Sequence, residues 1–180
     1  MEGSEAALFS SKQTVEDLSR EMGSMGMDVS GSIQDNKLSV RSIAKPSPEE
    51  TPEALFGALA AEIDCLPRSC GLVIIDGITD LAIFCQDRTI MGFFSIFQKL
   101  CTAGKAIVVV AESSAFAPDL LSRLRQLCDT HISMMVRDRQ VRVLNAVKVN
   151  NLEQRRDNGF SFRVEPGVGI TIVPMFQVRV

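Results

Sequence analysis

Apolar and polar positions divide this chain into two regimes. Residues 6–10 form a short apolar run that predicts a strand. In the following Thr14-Val15-Glu16-Asp17, Thr14 is placed to cap a helix and Asp17 to complete a capping box. Val15, Leu18, Met22 and Met25 then recur at helical spacing, and Gly23 and Gly26 mark that helix's end. Residues 38–43 alternate apolar and polar, as a half-buried strand does. After the turn-rich stretch 45–50, Thr51-Pro52-Glu53 supplies a cap, a first-turn proline and an acid at the positive end of the helix dipole. Leu55, Phe56, Leu59 and Ile63 are the buried stripe of that second helix. Leu72-Val73-Ile74-Ile75 does not alternate at all, which suits a strand covered on both faces in a parallel sheet, and the run ends in Asp76-Gly77. Residues 90–101 predict a third helix facing inward through Phe93, Phe94, Phe97 and Leu100, closed by Gly104. Residues 106–111 predict a second fully buried strand, and 118–129 a helix packing through Leu120, Leu121, Leu124, Leu127 and Cys128.

From there the period changes. Residues 131–136, 141–149, 160–164 and 169–173 are four β-prone runs, with a hairpin turn at 137–140 and a longer polar loop at 150–159. Helices with parallel strands first and antiparallel strands last predict an α/β fold: a mostly parallel central sheet and a C-terminal antiparallel β-meander, in one domain over 1–180.

Composition adds mainly exclusions. With 46% hydrophobic and 23% charged residues the chain is ordinary for a globular protein, and 180 residues can bury a sizeable core. A net charge of −3 and no concentrated basic face argue against a nucleic-acid partner. The acidic start Met1-Glu2-Gly3-Ser4-Glu5 is not a secretion signal, and no apolar run is long enough for membrane insertion, so a cytoplasmic location is expected. Five scattered cysteines without a CxxC spacing predict reduced, buried thiols rather than a zinc site.

Candidate chemistry centres on Asp76. An aspartate at the C-terminal end of a buried parallel strand stands where α/β sheets bind ligands. In phosphate-binding members it is the Walker-B carboxylate beside Mg²⁺. The same Asp-Gly pair serves equally well as a plain turn. Glu112-Ser113-Ser114 comes after the next strand and reaches the same edge, either as ligand-sensing groups or as the N-cap of the next segment. Gly104-Lys105 only superficially resembles the end of a P-loop. Lys99 stands where its first glycine belongs, Ala106 replaces the Ser/Thr, and the pair leads from helix to strand instead of strand to helix. His131, the only histidine, has no neighbouring nucleophile and reads as structural. Met22, Met25 and Met27 are core filler or an adaptable docking surface.

The order of these landmarks resembles a known family. Ala7-Leu8-Phe9-Ser10-Ser11-Lys12-Gln13-Thr14, Met25-Gly26-Met27-Asp28-Val29-Ser30 and Leu72-Val73-Ile74-Ile75-Asp76 resemble RecA-like ATPases of the KaiC type. Leu120-Leu121-Ser122-Arg123-Leu124-Arg125-Gln126-Leu127-Cys128-Asp129-Thr130-His131 and the ending Val164-Glu165-Pro166-Gly167-Val168-Gly169-Ile170 resemble more closely the FlaH-type archaellum accessory proteins. The resemblance implies a RecA-like three-layer α/β sandwich, ATP and Mg²⁺ as ligands, and a location in the cytoplasm, peripheral at the membrane-embedded motor. It also implies the archaellum motor ATPase and its cytosolic ring components as partners, and it allows a homo-oligomer. It assigns Asp76 to Mg²⁺, and Lys12, Glu112, Ser113 and Lys148 to the nucleotide side.

Departures from the family pattern carry their own expectations. The family's Walker-A strand and loop precede the point where this sequence begins. The family's water-orienting carboxylate is matched by Lys12, which cannot act as a base while charged. The Lys-x-Arg pair that reaches a neighbour's γ-phosphate is matched by Lys148-Val149-Asn150, so the arginine position holds Asn150. With no catalytic residue left, the resemblance implies a degenerate, non-hydrolytic subunit. The alternative is a fragment of an active ATPase whose Walker-A segment lies upstream. In RecA-like sheets the Walker-A strand lies between those matched by 106–111 and 131–136. These strands must therefore pair directly, leave open edges, or receive a partner.

Overall fold

The structure is a computed structural model that describes residues 5–45, 47, 50–137, 141–150, 152–153 and 159–173. It falls into two compact units, the first comprising Met1–Ser19 and Val29–Leu127 and the second Arg20–Asp28 and Cys128–Val180. The 45–50 stretch and the 137–140 and 150–159 loops lie partly outside the described residues.

In the first unit, four parallel strands are ordered β2 (Leu38–Ser42), β1 (Glu5–Ser10), β3 (Cys70–Asp76) and β4 (Ala106–Val110). Helix α1 (Val15–Ser24) starts with the predicted capping box: Asp17 N donates to Thr14 Oγ1 at 3.1 Å and Thr14 N to Asp17 Oδ2 at 3.2 Å. A short α2 (Ser30–Gln34), unmarked by any strong cap in the sequence, precedes β2. Helix α3 (Pro52–Asp64) begins at Thr51, whose side chain accepts from Ala54 N. It buries Leu55, Phe56, Leu59 and Ile63 as predicted, and Ala60 besides. A single turn, α4 (Thr79–Ala82), follows β3. Then α5 (Asp87–Thr102) buries Ile90, Phe93, Phe94, Phe97 and Leu100. Phe93 is the centre of an aromatic cluster, edge-on to Phe56 at 4.5 Å and to Phe97 at 4.3 Å between ring centroids. Helix α6 (Pro118–Leu127) buries Leu120 and Leu124, while Leu121, Leu127 and Cys128 are only half-buried.

Burial across this sheet is graded. Partners in a parallel register share a face, so Phe9, Ile75 and Val109 line one side and Leu8, Ile74 and Val108 the other. Phe9 and Ile75 are fully buried. On the other side exposure rises from Leu8 (7%) through half-buried Ile74 to Val108 (48%). The expectation of a second fully buried strand at 106–111 is therefore corrected. Strand β4 is the sheet's edge, and no described residue pairs with its outer side. The thiol expectation is also corrected. None of the five cysteines forms a disulfide, but only Cys70 is buried, Cys65 is exposed and the other three are half-buried.

In the second unit an antiparallel sheet runs β5 (His131–Val136), β6 (Arg142–Val149), β8 (Gly159–Glu165), β9 (Gly169–Val173), with the two-residue β7 (Leu152–Glu153) pairing β6. The β8–β9 turn explains the Glu165-Pro166-Gly167 signature. Val168 N donates back to Glu165 O at 3.2 Å, and Gly167 takes φ 72, the positive angle a Pro-Gly type II turn requires at its third residue. Gly167 N also donates to Ser24 O at 2.8 Å, a bond inside the second unit, to which residues 20–28 belong. Like β4, β5 ends its sheet with an open edge among the described residues.

Candidate functional site: the carboxyl rim of the parallel sheet

The strand order locates the site before any side chain is considered. From β1 the chain crosses to β2 on one side, whereas from β3 it crosses to β4 on the other. Adjacent parallel strands whose connections leave in opposite directions open a crevice at their carboxyl ends, the usual ligand position in such sheets. Here that switch point lies between β1 and β3, at Ser10-Ser11-Lys12 and Asp76-Gly77.

Each residue is held there by local geometry. Ser10 is buried, and its hydroxyl accepts from Lys12 N at 3.2 Å and Gln13 N at 3.1 Å, turning the chain sharply after β1. Ser11 N donates to Asp76 O at 3.1 Å, and its hydroxyl donates to Asp80 Oδ2 at 2.6 Å, joining the β1 loop to the first turn of α4. Gly77 makes this approach feasible. It has φ +93, and a Cβ at that position would overlap Ser11 Oγ. Across β3, Thr79 Oγ1 accepts from Glu112 N at 2.9 Å, fixing the exit of β4. Lys12 Nζ lies 3.7 Å from Glu112 Oε1, an ion pair spanning the mouth of the crevice with both side chains more than half exposed.

Asp76 is half-buried at the centre of this rim, and its carboxylate accepts no hydrogen bond from the described residues. A half-buried carboxylate at a switch point, beside a lysine, can accept a hydrated cation while the ammonium meets an anion. Among the described residues no cluster of three or more metal-ligating groups exists, so Asp76 would be one ligand in a largely water-filled shell.

Of the residues anticipated from sequence, Lys12, Asp76, Glu112 and Ser113 all reach this rim, Ser113 opening a 3-10 turn at Ser113–Ala115. Lys148 belongs to the second unit. Its side chain is buried and its ammonium donates to Cys128 O at 2.6 Å. Asn150 follows β6 with φ 49, opening the tight connection that lets Val149 pair with Leu152. Asparagine tolerates that left-handed angle better than arginine does, so the turn itself accounts for the residue there. Ser11, Thr79 and Asp80 are rim residues that the sequence pattern does not single out. Their only signal is that small polar residues stand directly after two apolar strands.

The fold is that of a RecA-like α/β protein, with a crevice at the carboxyl ends of its parallel strands. Among solved structures it is similar to the flagellar accessory protein FlaH from Methanocaldococcus jannaschii. The TM-score is 0.70 at 14% identity, over 95% of this chain and 77% of that one. The chain is also similar in sequence to the archaeal flagellar ATP-binding protein FlaH of Sulfolobus acidocaldarius, 24% identical over 115 residues, 62% of this chain and 50% of that protein. The chain is thus FlaH-like, and its match spans about half the length of that curated relative. No protein-family profile matches it. Among the described residues no helix is long and apolar enough to cross a membrane.

Proposed function

We propose that this chain is a FlaH-like accessory subunit of the archaeal motility motor, located in the cytoplasm at the motor's inner face. By itself it binds ATP·Mg²⁺ weakly or not at all and does not hydrolyse it. It works by contacting the motor ATPase and the surrounding cytosolic ring. The observation that carries this reading is Lys12. A cation stands at the rim position where the resemblance calls for a water-orienting carboxylate, and it pairs with Glu112 at 3.7 Å. These 180 residues also contain no GxxxxGK[ST] loop to surround a triphosphate with backbone N–H groups. Isothermal titration of the full chain with ATP·Mg²⁺ should give a Kd weaker than about 100 µM, with no phosphate released. Micromolar binding with turnover would reject the non-hydrolytic reading.

A second reading rests on a different observation: the Asp76 carboxylate is retained, half-buried and unpartnered among the described residues, where a magnesium-side carboxylate is needed. On this reading the chain is part of a working ATPase whose phosphate loop lies upstream. The reading frame preceding Met1 discriminates. If it encodes GxxxxGK[ST], the longer protein should bind ATP·Mg²⁺, and Asp76→Ala should weaken that binding at least about tenfold.

A further inference from the structure

The second unit's sheet exposes its apolar face. Pairing register sets Met134, Leu144 and Phe160 side by side across β5, β6 and β8. The next row is Val136, Arg142, Phe162 and Ile172, reaching β9. Ile132 extends the same face along β5 and Ile170 along β9. The opposite face is mixed: Ser133, Asn145, Ser161, Arg163 and Thr171 share it with Met135, Val143 and Val173. One-sided sheets normally bury the first kind of face and solvate the second. Here Ile132, Met134, Val136, Phe160, Ile170 and Ile172 are 46% to 68% exposed around a buried Phe162 (7%), whereas on the opposite face Val143 and Ser161 are 8% and 3% exposed and Met135, on the edge strand, 57%.

We infer that this face is the contact surface for a second copy of the chain, the two sheets stacking as an aligned sandwich. Area supports an identical partner. Six side chains exposed to this degree present about 500–600 Å², the top of what an ordinary monomer shows. Two such faces, with half-buried Leu144 and Val164 on the inner strands adding to them, approach the roughly 1,200 Å² of a specific interface. Charge supports it too. Among the described residues the charged groups on this face are Arg142 and Lys148, and Lys148 is buried against the Cys128 carbonyl. A strongly charged partner would find little to pair with, whereas the same row of aliphatic side chains complements itself. Sheets stacked face to face interdigitate such rows at about 10 Å separation.

The test is sedimentation equilibrium of the full 180-residue chain without nucleotide, over about 1–100 µM. The wild type should dimerise within that range. Ile172→Glu on β9 and Met134→Glu on β5 should each raise the dimer Kd at least about tenfold, while Arg163→Glu on the opposite face should change it less than about twofold. Both apolar positions are largely exposed, so far-UV circular dichroism of the variants should match the wild type. A wild type that stays monomeric throughout overturns the inference, whether or not the monomer binds vesicles or another protein. So does a dimer indifferent to both face substitutions. Because neither ATP nor a motor protein enters the measurement, this outcome is independent of the proposed motor role.

Discussion

Strands β1 and β4 lie in one parallel sheet and are similarly apolar, yet their surroundings differ. Ala7, Leu8 and Phe9 are covered on both sides, with β2 and β3 as neighbours. Val108 and Val110 are close to half exposed, and no described strand flanks β4 on its outer side. An unbroken aliphatic run therefore specifies a strand suited to burial and leaves open whether anything buries it. The rim inherits the same asymmetry: the β1 and β3 ends form a hydrogen-bonded crevice floor, while among the described residues the segment after β4 meets it through Thr79 and one exposed ion pair.

The largest expected effect tests the contrast directly. Phe9 is 0% exposed, so Phe9→Ala should cost about 3–5 kcal/mol in urea unfolding. Val108→Ala should cost less than about 1 kcal/mol, since a half-exposed side chain leaves no closed cavity. A Val108→Ala loss above about 2 kcal/mol would mean that β4 is covered in solution, and the contrast would collapse.

Gly77→Ala should come next, at about 1–3 kcal/mol, combining a left-handed angle with a side chain forced onto Ser11. The loss should be accompanied by faster amide exchange at Ser11, whose N–H bonds to Asp76 O. If stability falls without that local loosening, the close approach of the β1 and β3 ends is not what Gly77 protects.

These contrasts also show what was legible in the sequence. Elements with local signals were readable: the Thr14–Asp17 box, the Thr51-Pro52 start of α3 and the four-phenylalanine core of α3 and α5 each carry their cause within a few residues. Rim placement of Asp76 and Glu112 was readable because strand ends in parallel sheets share an edge, whereas Lys12 was anticipated only through the family resemblance. What could not be read depends on distant neighbours. Whether β4 is internal, and how deeply Cys65 or Cys85 is buried, is decided by strands and helices far along the chain. The position of Lys148 in another unit, and Asn150 as a turn residue, likewise depended on backbone pairing that residue types alone do not encode.

The two helix caps extend the contrast to smaller energies. Thr51→Ala should lower global stability by about 1 kcal/mol, because α3 is anchored by its buried stripe and cannot fray without exposing it. Thr14→Ala removes an equivalent bond from α1, which buries no residue. Its effect should appear as faster hydrogen exchange in the first turn of α1, with little change in the unfolding midpoint.

Cys85 offers a pH readout on the half-buried layer between these extremes. Burial, and secondarily the Glu53 charge, push its thiol pKa up. A raised native pKa means a smaller thiolate fraction, so Cys85 should alkylate at higher pH than an unfolded control peptide. The associated stability is present below the free-thiol range and is lost as pH climbs through the raised native value. An alkylation midpoint at or below the peptide's would show that Cys85 is solvated.

The smallest effect concerns the pair that bridges the rim. Lys12 and Glu112 are 3.7 Å apart, but both side chains are more than half exposed, 55% and 68%. Water and salt screen their attraction, and holding two long side chains together costs entropy. A double-mutant cycle with Lys12→Ala and Glu112→Ala should therefore give a coupling of no more than about 0.5 kcal/mol, shrinking further in high salt. A coupling above about 1.5 kcal/mol would mean that the mouth of the crevice is desolvated. The rim would then be as closed as the β1 floor beneath it, and the difference between covered and uncovered strands would not extend to the site.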